Sequence, residues 1–252
     1  MIYRGFMARG LFKALVGEYK LDGAPFYLLF IGLMLACIVI PYLLGSMNFG
    51  IIISKIKYGD DIRKHGSGNG GTTNMLRTYG KGMGALTLVC DMLKCVVSVT
   101  LGCALMGLMF GGYLAGLFCI LGHMFPIYYR FKGGKGVACL AAMILMLNPV
   151  VFAILFVMFV IIVAFSKYVS LGSVMCALIY PVLLNRMDLI LADYLAANDL
   201  FTGTDTLIAV LVAVLVVFMH RENIKRLLAG TESKISLGKG KGKGNDNGKD
   251  GK

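Results

Sequence analysis

The chain has 252 residues, of which 58% are hydrophobic and only 15% are charged. Soluble domains carry about a quarter of charged residues, so this composition excludes an ordinary soluble protein and indicates one that buries apolar surface in lipid. The net charge of +12 would suit nucleic acid, but the charged residues are confined to short segments between apolar stretches. We therefore predict a polytopic membrane protein without a nucleic-acid partner.

Seven apolar blocks predict an all-α fold with about seven transmembrane helices, some of them short or broken. Their approximate bounds are 25–54, 83–109, 111–129, 136–147, 149–165, 168–184 and 205–220. We expect the first block to be kinked or broken near its inner end, because Pro41 and Gly45 interrupt it. Asn148-Pro149 is a turn signal, which favours a tight hairpin over 136–165 and leaves one bent segment as the alternative.

Both ends of the chain differ in composition from the membrane-embedded domain, which we place at 25–235. Residues 1–24 form an N-terminal extension whose apolar spacing suits a helix on a membrane surface, on a side that the sequence leaves open. The tail 236–252 is a basic Gly/Lys run, which predicts disorder and contact with anionic lipid.

Lysine and arginine are unevenly distributed along the chain. Nineteen of the 25 fall in 55–81, 130–135, 166–168 and the region from residue 220 onward. Because loops rich in Lys and Arg stay on the cytoplasmic side, we predict a multi-pass plasma-membrane protein with its N-terminus outside and its C-terminus in the cytoplasm.

The seven cysteines and three histidines do not have the spacing of metal ligands. No Cys-x-x-Cys or His-Glu-x-x-His pattern occurs, so neither a metal site nor a disulfide framework is predicted. We interpret the cysteines as small buried hydrophobic residues.

The first polar segment, 61–74, interleaves glycines with hydroxyl, amide and basic side chains. Backbone N–H groups in such a loop turn toward one concavity that binds anions, and a helix starting near Thr72 would add its positive end. The alternative is a flexible glycine-rich connector. The candidate phosphate-binding residues are Arg63, Lys64, Gly66, Ser67, Gly68, Asn69, Thr73 and Asn74.

The second polar segment, 122–136, ends in Lys-Gly-Gly-Lys-Gly at the entry of a helix, which suits phosphate although it is not a Walker A motif. A tight basic turn is the alternative for this loop, and a histidine satisfied at a helix end is the alternative for its first candidate. The candidate binding residues are His123, Lys132, Gly133, Gly134, Lys135 and Gly136.

The third segment follows the last apolar block. His220 and Asn223 are three residues apart and share a helix face where the span meets the cytoplasm; the alternative is an amphipathic stop to the span. Within the second block, Asp91 and Lys94 are too costly to face lipid, and we interpret them as a structural ion pair. Since all three polar segments are predicted on one face, we expect an anion site there.

Four stretches in order, Gly45–Gly50, Arg63–Asn74, Gly122–Gly136 and His220–Arg226, resemble the motifs of the PlsY family of bacterial acyl-phosphate:glycerol-3-phosphate acyltransferases. The resemblance covers about 25–235. It departs from the family pattern at Asn48, where a proline is usual.

The resemblance implies seven transmembrane helices and an active site that faces the cytoplasm. It implies transfer of a fatty acyl group from acyl phosphate to the 1-hydroxyl of glycerol 3-phosphate, which gives lysophosphatidate and phosphate without a cofactor or metal. Membrane lipids and the peripheral enzyme that makes acyl phosphate are the partners that would follow.

By position, Ser46, His220 and Asn223 match the family's functional residues, with Arg63 and the loop 132–136 as its phosphate-binding groups. Either His220 or the substrate's own phosphate would take the hydroxyl proton. Glu222 is interpreted as structural.

A membrane transporter of small organic anions is the alternative function, supported by the multi-span architecture and the broken first span. A repeat between halves, which many transporters show, is not evident in the sequence.

Overall fold

The computed structural model describes residues 10–106, 108–190 and 203–235, and within these ranges it holds eleven α-helices and no strand. The helices are α1 (Leu11–Tyr19), α2 (Gly23–Ser46), α3 (Phe49–Tyr58), α4 (Thr72–Tyr79), α5 (Lys81–Met106), α6 (Leu108–Met124), α7 (Val137–Leu147), α8 (Pro149–Ser166), α9 (Val169–Ile190), α10 (Thr204–Met219) and α11 (Arg221–Leu228). Short 3-10 turns lie at Ile62–Lys64 and Ile127–Tyr129. The all-α prediction is confirmed.

Five described segments are long and apolar enough to cross a membrane: Gly23–Tyr58, Lys81–Met106, Phe110–Tyr129, Pro149–Ser166 and Val169–Met187. Helices α10 and α11, bent by 58° at their junction, make a sixth if they act as one span. Helix α7 is apolar but has 11 residues, or about 16 Å, roughly half the hydrocarbon thickness. The count of seven spans and the orientation therefore stay predictions.

The first predicted block is broken, as expected, but at Met47 and Asn48. Pro41 lies inside α2, and the helix continues past it to Ser46 before the chain extends and restarts as α3. Gly45 has a packing role here, because a Cβ at this position would overlap the backbone of Cys119. The absence of a Cβ at Gly45 lets α2 and α6 approach closely.

The turn predicted between the fourth and fifth blocks is confirmed. Asn148 has a non-helical backbone and separates α7 from α8, and Pro149 is the first residue of α8, where a proline needs no backbone donor. Leu140 of α7 and Leu155 of α8 are buried in the same core.

The larger of two apolar core clusters is shared by α5 to α10. Its backbones approach closely at Gly102 and Gly111, where a Cβ on either glycine would overlap the other's carbonyl, as is usual where membrane helices meet. Five of the seven cysteines are buried and none forms a disulfide, which agrees with their interpretation as small hydrophobic residues. Outside the core, large apolar side chains such as Leu28 and Phe165 stay exposed toward the expected lipid.

Four basic segments meet at one end of the bundle. Arg63 Nη1 donates to the carbonyl of Tyr129 (3.0 Å), and the Ile235 N–H donates to the carbonyl of Lys167 (2.8 Å). Arg77 Nη2 donates to the carbonyl of Ser233 (2.9 Å) and so joins these two pairs of segments. We call this end the basic end. The segments that the charge distribution assigned to one side therefore do converge.

At the N-terminus, α1 folds back on α2, with the Phe12 ring edge-to-face against Phe26 (centroids 5.3 Å apart) and Phe30 (5.5 Å). The predicted surface helix is present from residue 11, and its position relative to a membrane stays a prediction. Residues 1–9 and the predicted disordered tail 236–252 lie outside the described residues.

Candidate active site

A cavity of about 470 Å³ opens at the basic end and extends along α7, α8 and α9. We call it the main cavity. Its polar lining comprises Ser67, Asn69, Thr72, Thr73, Asn74, Arg77, Asp91, His123, Lys135, Ser170, Ser173, His220, Asn223 and Glu232, and its apolar lining includes Leu140, Ile144, Phe152, Leu155, Phe156 and Phe159. Most of the polar groups come from loops and helix ends, with Asp91 inside α5 as an exception, whereas the apolar ones named here lie within α7 and α8. The cavity is therefore polar at the basic end and apolar deeper in the bundle.

The glycine-rich loop 65–71 is shaped by Asn74. Its amide nitrogen lies within hydrogen-bond distance of the carbonyls of Ile62 (3.1 Å), His65 (2.9 Å) and Asn69 (2.9 Å), and its oxygen accepts from the Ser67 N–H (3.0 Å). Asn74 was predicted to bind phosphate, but its amide instead contacts the backbone of the loop and holds the loop in shape.

Two glycines allow the tight course of this loop. Gly66 and Gly68 have φ of +54° and +70°, a region that side chains with a Cβ rarely adopt. A Cβ on Gly66 would also overlap the Asn74 side chain. The loop therefore turns back on itself and presents Ser67 and Asn69 to the main cavity.

The second glycine pair packs against the end of α6. The N–H groups of Gly133 and Gly134 donate to the carbonyls of Met124 (3.2 Å) and His123 (3.0 Å). A Cβ on Gly134 would overlap the His123 ring. Close backbone packing therefore accounts for these two glycines, and Lys135 is placed at the cavity as a result.

Asn48 joins the two loops, a role that the sequence analysis missed. It is fully buried, and its amide satisfies both polar atoms when the nitrogen donates to the Gly70 carbonyl (2.9 Å) and the oxygen accepts from the Gly134 N–H (3.3 Å). The available signal was an asparagine between two apolar runs, a residue type favoured at helix starts. At the position where the family usually has a proline, Asn48 therefore holds the two loops together in this chain.

A buried ionic network lies behind the second loop. Lys94 Nζ contacts Asp91 Oδ1 (2.8 Å) and His123 Nδ1 (3.0 Å), and it donates to the carbonyls of Gly45 (2.9 Å) and Met47 (2.8 Å). The predicted Asp91–Lys94 pair is therefore present. The network around the pair is larger than predicted, because Lys94 also donates to carbonyls that the end of α2 leaves without a partner.

His220 closes the main cavity at the junction of α10 and α11. It is buried, and its Nδ1 lies 2.8 Å from the carbonyl of Val216. Since a carbonyl only accepts hydrogen bonds, Nδ1 carries the proton. In the neutral ring Nε2 then holds a lone pair, which is the tautomer that a general base needs.

Lys135, Asn223 and Glu232 form a relay of hydrogen bonds beside His220. Lys135 Nζ donates to Asn223 Oδ1, and Asn223 Nδ2 donates to Glu232 Oε1 (2.7 Å). Ser170 Oγ (2.9 Å) and Arg226 Nε (2.7 Å) also donate to this carboxylate. Glu232, which the sequence analysis missed, therefore orients Asn223 toward Lys135.

Burial lowers the pKa of Lys135 to about 8, against a smaller opposite effect of Glu232 and with added repulsion from Arg226 and Arg77. The ammonium is therefore incompletely neutralised by its surroundings. A bound dianion would favour the charged form, so this site is arranged to gain from a phosphate.

The glycerol-3-phosphate acyltransferase family model matches residues 35–230 of the chain, which include the two loops, the ionic network and the His220–Asn223 segment. The chain belongs to the glycerol-3-phosphate acyltransferase family.

Curated members of this acyltransferase family resemble the chain over most of their length. The glycerol-3-phosphate acyltransferase of Clostridioides difficile is 41% identical over 206 residues, which is 78% of this chain and 93% of that protein. The one from Finegoldia magna is 39% identical over 204 residues, with the same coverage.

Two solved structures of PlsY, an integral membrane glycerol 3-phosphate acyltransferase, have the same fold. The glycerol 3-phosphate form is 34% identical with a TM-score of 0.70, covering 81% of this chain and 96% of that one. The lysophosphatidic acid form is 32% identical with a TM-score of 0.67, covering 81% and 95%. The protein is thus a multi-pass membrane acyltransferase of the PlsY type.

Eight of the predicted catalytic and binding residues of this acyltransferase do not line the main cavity: Ser46, Arg63, Lys64, Gly66, Gly68, Lys132, Gly133 and Gly134. Arg63 is paired with Asp61 (2.7 Å), and it lines an outer pocket together with Lys64 and Lys132. The hydrogen bond from Arg63 is the chief reason why the pKa of Asp61 is lowered.

Ser46 is buried, donates to the carbonyl of Tyr42 (2.8 Å) and accepts from the Ile127 N–H (3.4 Å). It joins the end of α2 to the turn after α6, and its catalytic role stays a prediction. Glu222 is exposed and pairs with Lys225 (3.2 Å) on the surface.

Arg77 is a further cavity residue that the sequence analysis missed. It lies in the last turn of α4, and its Nη2 donates to the carbonyl of Ser233 (2.9 Å). Among the residues that the structure describes, no three His, Cys, Asp or Glu side chains are grouped to hold a metal ion.

Proposed function

We propose that the protein transfers a fatty acyl group from acyl phosphate to the 1-hydroxyl of sn-glycerol 3-phosphate, giving lysophosphatidate and phosphate. The observation that carries the proposal is the main cavity, whose polar end holds Lys135, Arg77 and His220 and whose deeper wall is apolar. An acyl phosphate has the same division, with an anionic head and an aliphatic tail. The named ligands of the similar PlsY structures, glycerol 3-phosphate and lysophosphatidic acid, support the acceptor and the product.

The proposed binding mode follows the cavity. The phosphate groups lie at the basic end near Lys135 and Arg77, and the acyl chain lies along the α7 and α8 side chains such as Ile144 and Phe156. Holding both reactants in one cavity converts a bimolecular reaction into an oriented one. The cations offset the charge that develops on the departing phosphate.

In the proposed reaction, the acceptor hydroxyl oxygen attacks the acyl carbon and the bond from that carbon to the phosphate oxygen breaks. The hydroxyl proton passes to His220 Nε2 or to the substrate phosphate. Because phosphate is a good leaving group, no covalent enzyme intermediate is needed, and no metal or cofactor enters the scheme.

We further propose that the chain crosses the plasma membrane seven times, with its N-terminus outside the cell and the basic end facing the cytoplasm. The convergence of the basic segments supports this orientation. It would present the main cavity to soluble glycerol 3-phosphate and to a peripheral enzyme that makes acyl phosphate.

The transporter alternative is not favoured by the site. Most of the polar lining lies at one end of the bundle, whereas secondary transporters bind near the bilayer midplane. Membership in an acyltransferase family points the same way.

The test uses the purified full chain in lipid nanodiscs with labelled glycerol 3-phosphate and palmitoyl phosphate. We expect equal amounts of lysophosphatidate and phosphate, activity that persists with a chelator, and little product from palmitoyl-CoA. Equal use of palmitoyl-CoA would contradict the proposed donor, and uptake of glycerol 3-phosphate by proteoliposomes without acylation would favour the transporter.

A further inference from the structure

A second concavity of about 600 Å³ lies at the basic end, outside the main cavity, and the two share no lining residue. The glycine-rich loop separates them, because Gly68 faces the second concavity while Ser67 and Asn69 face the main one. We call it the outer pocket. Its charged residues are Lys55, Asp61, Arg63, Lys64, Arg130 and Lys132.

The outer pocket has an excess of positive charge. Its one carboxylate, that of Asp61, forms an ion pair with Arg63 at 2.7 Å. Lys64 lies 3.9 Å from Asp60, and among the described residues Lys55, Arg130 and Lys132 form no ion pair within 4.0 Å. Like charges around one concavity repel each other, and an anion between them would relieve that repulsion.

The wall of the outer pocket is fixed by contacts that do not involve a ligand. Arg63 Nη1 donates to the carbonyls of Tyr129 and Lys132, both at 3.0 Å. The Tyr129 ring lies below two cations, 5.5 Å from Lys55 Nζ and 5.7 Å from Arg63 Cζ. The pocket is therefore formed before any ligand binds.

Exposed apolar side chains are neighbours of these charged residues along the chain, at the ends of two spans. The candidate spans Gly23–Tyr58 and Phe110–Tyr129 both end beside the outer pocket. Ile56, which follows Lys55 in the chain, is 82% exposed, and Phe131, which lies between Arg130 and Lys132, is 58% exposed. Tyr128 in the pocket wall is exposed as well. Aromatic and basic residues together at the ends of spans are characteristic of the lipid headgroup region.

We propose that the outer pocket binds the phosphate group of an anionic membrane phospholipid. The pocket lies where two candidate spans end, its unpaired cations are opposite in sign to such a headgroup, and the exposed apolar side chains near it in the chain suit the adjoining acyl chains. The proposal needs the membrane location of the protein and is independent of the reaction proposed for the main cavity.

The test compares lipid binding by the full chain and two charge-matched variants, measured by native mass spectrometry of protein titrated with phosphatidylglycerol or phosphatidylcholine. The pocket variant is Lys55→Gln with Arg130→Gln. The control is Arg221→Gln with Lys225→Gln, which removes two exposed cations from α11 outside the outer pocket.

We expect the unmodified chain and the control to prefer phosphatidylglycerol, and the pocket variant to lose about fivefold in that preference for each cation removed. The single variant Arg130→Gln changes an exposed side chain and guards against misfolding of the double variant. On a logarithmic scale, its loss of preference for phosphatidylglycerol should be about half that of the double variant. An unchanged preference in the pocket variants, or an equal loss in the control, would overturn the proposal. So would binding of inorganic phosphate without binding of phosphatidylglycerol, because the pocket would then be a site for soluble anions.

Discussion

Two lysines, Lys94 buried in the bundle and Lys135 half-buried at the main cavity, have opposite surroundings. Lys94 meets a carboxylate, two carbonyls and a ring nitrogen. Lys135, within the described part of the chain, donates to the amide of Asn223, and Glu232 lies one residue further along the relay. A lysine whose ammonium is saturated, that is, surrounded by acceptors, stabilises the fold. A lysine with few acceptors that faces a cavity is available to a ligand.

The same distinction separates the two cavity histidines. His123 is buried against the Lys94 network, and its ring is covered by Gly134. His220 uses one nitrogen on the Val216 carbonyl and lines the main cavity with the rest of its ring. We therefore assign chemistry to His220 and structural support to His123.

The largest effect is expected from His220→Ala. Losing a general base should lower kcat by about 10²–10⁴-fold with little change in KM, as measured by steady-state lysophosphatidate formation. His65→Ala removes a histidine outside the main cavity and serves as the matched control, with expected near-normal kcat. A His220→Ala enzyme with nearly full kcat would assign proton transfer to the substrate phosphate.

The next largest effect is on stability. Lys94→Met leaves the Asp91 carboxylate buried without its partner, which typically costs about 3–5 kcal/mol, and should lower the unfolding temperature in detergent sharply. Adding Asp91→Asn removes the unpaired charge and should restore part of the loss. If the double variant is no more stable than Lys94→Met alone, the ionic network is not what holds this region together.

Lys135→Ala should act mainly on substrate binding. Removing one charge-assisted contact, worth roughly 1.5–3 kcal/mol, should raise KM by about 10–100-fold. Lys132→Ala is the control from the same loop, because its side chain lies in the outer pocket, and we expect only a small change. Equal effects of the two substitutions would contradict the separation of the two pockets.

Much of the fold could be predicted from the sequence because hydropathy depends on local composition. A break near the inner end of the first block was predicted and is found at Met47 and Asn48. The turn at Asn148 was predicted as well, and the spacing of Asp91 and Lys94 was enough to pair them. The seven apolar blocks correspond to helices in the structure, although α7 is too short to be recognised as a span by length.

The candidate site was predicted less completely because its contacts join distant segments. Asn48 bridges loops that lie far apart in the sequence, and Arg77 and Glu232 reach the main cavity only in the folded chain. The side of the glycine loop on which Arg63 lies depends on its contacts with Tyr129 and Lys132. Composition does not encode such contacts.

The pH dependence of kcat/KM should show whether Lys135 binds as a cation. Its pKa of about 8 means that the free enzyme loses this charge as the pH rises above 8. We expect kcat/KM to fall by up to about tenfold per pH unit there. In Lys135→Arg the guanidinium stays charged, so this fall should disappear; a fall that persists at the same pH would assign the titration to another group.

The smallest effect is expected at Glu232, which acts through Asn223. In Glu232→Gln the side-chain oxygen can still accept from Asn223 and Ser170, and the exposed part of Arg226 can turn to solvent, so kcat/KM should fall by about threefold. Glu232→Ala removes the acceptor altogether, frees the Asn223 amide to rotate away from Lys135, and should cost about tenfold. Partial rescue by Gln with normal thermal stability in both variants would identify Glu232 as a positioning residue. Equal losses in kcat/KM accompanied by equal losses in stability would instead give it a purely structural role, like that of the saturated Lys94 network.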